Sequence, residues 1–93
     1  MKLTVADMNA LPTLTDTARK IVREHLGVES HQVTPEAHFV RDLGADSLDR
    51  IEIAMDVEDA FDIVLIDAEI DEVVTFGDLL ALIEKKCAWP TTG

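Results

Sequence analysis

The chain has 93 residues, enough for one compact domain with a modest core and no room for a second. Four Gly, three Pro, three Phe, one Trp and no Tyr, against many Leu, Ile, Val, Ala, Asp and Glu, favour helices over a sheet-rich sandwich or barrel. Eight Lys and Arg against nineteen Asp and Glu give a net charge of −11, which repels phosphate backbones and anionic lipid and so argues against nucleic acid and membrane surfaces as partners. The same field attracts proteins that present Arg and Lys patches, more strongly at low salt.

Residues 1–12 show no sustained period and end at Pro12, so they are expected to form a loosely ordered N-terminal extension. They contain no apolar block of signal-peptide length, and the sequence has no membrane-spanning run. A single cysteine, Cys87, excludes an internal disulfide. A cytoplasmic, monomeric protein is the expectation.

Thr13 followed by Asp16 is a variant of the capping box, and Leu14, Ala18, Ile21, Val22 and Leu26 recur at helical spacing until Gly27, a natural stop. From Val28 to Asp46 the period is lost and Pro35 and Gly44 interrupt the chain, which predicts a long ordered loop pinned by Val33, Phe39, Val40 and Leu43. A second helix is expected from Ser47 to Phe61, capped by Asp46 or Ser47. A short one follows from Asp67 to about Glu72. The last begins at Thr75-Phe76-Gly77-Asp78, takes its apolar stripe from Phe76, Leu79, Leu80 and Ile83, and places Lys85 and Lys86 where the helix dipole favours cations. The predicted fold is all-α, a four-helix bundle of three longer helices and one short one, with a long loop between the first and second. Residues 13–86 form the domain, and 87–93 a flexible tail.

The second helix has three faces. A wheel at about 100° per residue gathers Ile53, Ala54, Val57, Ala60 and Phe61 toward the core. Asp49, Glu52, Asp56 and Asp59 form an acidic ridge, and Leu48, Ile51 and Met55 a narrower apolar strip beside it. A solvated face would explain the ridge alone; the added strip suggests a helix that buries one side and offers the other to partners. Arg50 falls on the core face, where snorkelling of its stem is the only account the sequence supplies. Ser47 stands at the helix start, where orphan N–H groups and the positive end of the dipole suit a phosphodiester, although a serine there is ordinarily just a cap.

Gly44-Ala45-Asp46-Ser47-Leu48-Asp49 resembles the prosthetic-group attachment motif of acyl carrier proteins. The resemblance runs from about Thr15 to Lys86 and takes in Leu26-Gly27-Val28, Phe39-Val40-Arg41-Asp42-Leu43, Ser47 through Asp62, and Asp67-x-Glu69. It implies a carrier rather than an enzyme, with 4′-phosphopantetheine, drawn from coenzyme A, on Ser47 between Asp46 and Leu48. The partners it implies are a phosphopantetheinyl transferase and acyl-loading, synthase and acyltransferase enzymes with basic docking patches. Carried over residue by residue, Asp49, Glu52, Met55, Asp56 and Asp59 would be docking positions, joined by Asp67 and Asp71 on the short helix. Ile53, Ala54, Val57, Phe61, Leu79 and Ile83 would line an acyl pocket. Ile66 stands where the family commonly has proline, and the N-terminal extension is longer than usual, so a carrier for a specialised lipid or polyketide is considered beside one for fatty acid synthesis. Ala45 argues against the peptidyl carrier branch, which more often has a Gly-Gly pair there.

Other chemistries lack their residues. A nucleophile elbow around Ser47 would need glycines at 45 and 49, which are Ala45 and Asp49. His25, His31 and His38 have no zinc-type spacing and read as surface or cap residues. The acidic run Asp56 to Asp62 lacks the glycine and glutamate of a calcium loop. The remaining alternative is a non-catalytic acidic helical adaptor for a basic protein partner.

Overall fold

The computed structural model describes residues 13–86; the expected extension at 1–12 and tail at 87–93, with Cys87, lie outside them. Four α-helices follow in order: α1 Leu14–Leu26, α2 Ser47–Phe61, α3 Asp67–Asp71 and α4 Phe76–Lys86, with a 3₁₀ turn, Ser30–Gln32, in the long connection after α1. Among the described residues there is no strand; one isolated antiparallel bridge joins His38 to Thr75.

Each longer helix starts on a reciprocal pair of hydrogen bonds. The Asp16 N–H donates to Thr13 Oγ1 at 3.1 Å and the Thr13 N–H to Asp16 Oδ2 at 3.4 Å. At α2, the Asp49 N–H donates to Asp46 Oδ1 at 2.8 Å and the Asp46 N–H to Asp49 Oδ2 at 3.0 Å, so the cap is Asp46 and Ser47 is the first helical residue. At α4, the Asp78 N–H donates to Thr75 Oγ1 while Asp78 Oδ2 accepts from the N–H groups of Thr75 and Val74. These bonds satisfy donors that have no partner within a helix. α1 ends at Gly27 in the left-handed region, φ 69°, with its N–H on Arg23 O at 2.8 Å.

α1 packs against α2 and α4 around one apolar core. Leu14, Ala18 and Val22 face Ile53, Ala54, Val57 and Phe61 of α2 and Phe76, Leu79 and Ile83 of α4, all buried. The long loop is tied to this core by Val33, Phe39 and Leu43, as its apolar residues suggested, but Val40 is 49% exposed and pins nothing. Ala60, placed by the wheel on the core face, is also exposed. It lies in the last turn of α2 next to buried Phe61, on a side that no described element covers. The loop is further fastened by Arg19, whose Nε donates to Val33 O at 3.0 Å and whose guanidinium lies over the Phe76 ring, 5.6 Å from its centroid. Backbone bonds from Phe39 N–H to Val74 O and from Phe76 N–H to Ala37 O complete the attachment to the start of α4.

Candidate functional site

The sequence Asp42 to Asp49 turns the chain from the loop into α2. Gly44 takes a left-handed conformation, φ 72°, and the Ala45 N–H donates to Phe39 O at 2.9 Å, which seats Ala45 in the core and leaves Asp46, Ser47 and Leu48 in solvent. The Ser47 hydroxyl makes no hydrogen bond to a described residue. The N–H groups of Ser47 and Leu48 have no acceptor among the described residues either, at the positive end of a helix of 15 residues. An open hydroxyl beside two spare donors fits a covalently attached phosphodiester, with no side chain to be displaced.

The acidic ridge is where the wheel placed it. Side-chain exposure rises from 32% at Asp49 through 47% at Glu52 to 56% at Asp56, and Asp59 is exposed beyond them. Asp67 and Asp71 of α3 are exposed as well. Leu48, Ile51 and Met55 form the adjoining strip, each more than half exposed at 62%, 51% and 57%. The Asp49 carboxyl is held below its ordinary range, first by the Asp46 N–H and then by His25. His25, expected to be a surface or cap residue, is instead partly buried among the ridge carboxylates: its Nε2 lies 3.4 Å from Asp49 and 3.3 Å from Glu52, and its Nδ1 4.0 Å from Asp56. His38 does act as a local cap, its Nδ1 accepting from the N–H groups of Val40 and Arg41, and His31 is exposed.

A small cavity of about 20 Å³ lies between α2, α3 and α4. Of the residues expected around a pocket, Ile53, Ala54 and Leu79 line it, together with Phe39, Leu65, Ile70, Val73, Leu82 and Arg50. Val57, Phe61 and Ile83 are packed elsewhere in the core. Arg50 does more than snorkel: its Nη2 donates to Ile70 O at 3.0 Å and to Val73 O at 2.9 Å, spanning from α2 to the end of α3. Ile66, the departure from proline, uses the N–H that a proline would lack, donating it to Glu69 Oε1 at 3.1 Å. Glu69 in turn pairs with Lys86, whose Nζ also donates to Val64 O at 2.8 Å.

The structure is thus a helical bundle with an exposed serine at the head of an acidic helix. The family model described as "Phosphopantetheine attachment site" matches residues 16–83. An acyl carrier protein of Thermotoga maritima is 46% identical over 68 residues, 73% of this chain and 84% of that protein. A solved structure of a candidate acyl carrier protein from Mycobacterium tuberculosis has a similar fold, with TM-score 0.74 at 23% identity, over 78% of this chain and 97% of that one. The chain belongs to the family of phosphopantetheine-bearing acyl carrier proteins. Members bear the prosthetic group covalently and are carriers, not catalysts.

Proposed function

We propose that Ser47 bears the 4′-phosphopantetheine arm and that the chain holds acyl intermediates on it as thioesters, delivering them to biosynthetic enzymes of fatty acid, specialised lipid or polyketide synthesis. The observation that carries this reading is the Ser47 hydroxyl itself, exposed and, among the described residues, without a hydrogen bond beside two N–H groups that have no acceptor at the start of α2. The bound arm supplies a terminal thiol on which an acyl group is activated for transfer. The protein's own part is to tether and to present. Asp49, Glu52, Asp56 and Asp59, with Asp67 and Asp71, offer negative charge to basic docking patches, and Leu48, Ile51 and Met55 offer apolar contact at the centre of the same surface. Charge-steered docking of moderate strength lets one transferase, synthase or acyltransferase release the carrier to the next.

The working unit is residues 13–86, acting as a monomer in the cytoplasm. No helix among the described residues is long and apolar enough to cross a membrane. Ile66 in place of proline and the long extension favour a dedicated pathway over the general fatty acid one.

Incubation with coenzyme A and a broad-specificity phosphopantetheinyl transferase is expected to add one phosphopantetheine mass, and Ser47→Ala to abolish it. Failure of the wild-type chain to be modified, under conditions that modify a control carrier, would overturn the assignment.

A further inference from the structure

Among the described residues, Arg50 is the one charged group on the wall of the cavity between α2, α3 and α4; the other described lining side chains are apolar. Its Nη2 is committed to Ile70 O and Val73 O, which fixes the plane of the guanidinium. Nε and Nη1 have no acceptor among the described residues. A partly buried cation is therefore held rigidly against an apolar void with donors to spare.

We propose that Arg50 is a specificity-determining residue, which favours acyl groups carrying a hydroxyl or keto oxygen close to the thioester over plain alkyl chains. This rests on the carrier reading of Ser47 and on the cavity as the place a chain enters. Arg50 follows Ser47 by three residues on α2, about 4.5 Å along the axis, and Ile53 and Ala54 follow a turn later. A chain entering from the Ser47 end passes Arg50 first and the apolar walls afterwards. An alkyl segment there covers the spare N–H groups and removes them from water without replacement, whereas an oxygen on the third carbon of the acyl group accepts from them. The preference follows from pairing a donor that is already fixed, so little ordering is lost on binding.

The test loads the chain with octanoyl and with 3-hydroxyoctanoyl phosphopantetheine, transferred from the corresponding coenzyme A thioesters, and measures two things. One is the rate at which hydroxylamine cleaves each thioester; the other is the NMR signal of the Arg50 Nε–H in the wild-type chain. Cleavage of the 3-hydroxyoctanoyl form is expected to be slower than that of the octanoyl form by about three- to tenfold beyond the ratio for the free pantetheine thioesters. The Nε–H signal should move only with the hydroxylated chain, and Arg50→Met should remove the difference in cleavage. The NMR readout needs no variant, so loosening of α3 by Arg50→Met would not obscure the result. Equal protection of the two chains, with the amides of Ile53 and Leu79 shifted by both, would overturn the role of Arg50 and leave the cavity reading standing. Protection of neither chain, with those amides unmoved, would overturn both while leaving the Ser47 adduct intact.

Discussion

His25 on α1 holds its imidazole 3.3 Å from the Glu52 carboxylate on α2, so the acidic ridge is gripped from the neighbouring helix. Asp49 and Asp56 share the same ring, whose side chain is only 18% exposed. His25→Ala removes these contacts and part of the α1 to α2 packing. It should lower unfolding free energy by about 1 kcal/mol, as chemical denaturation would show. Unchanged stability would mean that the three carboxylates are as well solvated without the ring.

Steering by the ridge predicts a salt-dependent defect. Glu52→Lys combined with Asp59→Lys should slow modification of Ser47 by the transferase by roughly tenfold at low ionic strength and by less than about twofold at 0.5 M salt, where the screening length has shrunk to a few ångströms. Steady-state rates at the two salt concentrations check this. Equal slowing at both would point to a lost contact instead of a lost field.

Asp78 provides a pH signature. Its carboxyl is held below the ordinary 3.8 by the N–H groups of Thr75 and Val74, in that order of strength. A carboxyl lowered in the folded state contributes stability that is complete above the unfolded value and disappears as pH falls through the folded one. Loss of its cap bonds in Asp78→Ala should cost about 1 kcal/mol at neutral pH, the charge itself adding little at this exposed position. The gap between wild type and variant should stay constant down to about pH 5 and close in stronger acid. Denaturation midpoints for both chains across that range test it, and a gap that persists undiminished well below 3.8 would refute the charge's part.

Gly77 sits within α4 where alanine would ordinarily be the better residue by about 1 kcal/mol. Here a Cβ would stand 2.9 Å from Pro35 O, a backbone atom that also accepts the Gly77 N–H at 2.9 Å. That carbonyl cannot retreat without losing its bond. Gly77→Ala is expected to destabilise by about 1 to 3 kcal/mol despite the gain in propensity, and a thermal melt decides the sign.

Local patterns carried most of the helical boundaries into view. Thr13 with Asp16, Asp46 with Asp49, and Thr75 with Asp78 are each three residues apart, so the bonds that start the helices can be read directly from the chain. The three faces of α2 followed from its period alone. What periodicity cannot supply is whether a neighbour is present on the side it indicates, which is why Ala60 was assigned to a core that does not reach it. Arg50 and His25 were opaque for a related reason. The acceptors of Arg50 lie 20 and 23 residues away, and His25 meets carboxylates across the whole of the long loop, so neither contact has a local signature. The cavity shares this character, since Leu65, Ile70, Val73 and Leu82 converge on it from separate segments.

The grip of Arg50 on Ile70 O and Val73 O has one more consequence. α3 has five residues, far too few to persist as a helix in water unaided. Its position is set by what holds its two ends: Glu69 with Lys86 near one, Arg50 at the other. That side of the void is held both by Leu65, Ile70 and Val73 packed on the core and by these polar clasps, so loosening it would break bonds that the interlocked α1, α2 and α4 do not depend on. Among the described residues, the one wall of the void tied by side-chain-to-backbone bonds is thus its α3 wall, whereas the α2 face that carries the acidic ridge is backed by the core of α1 and α4.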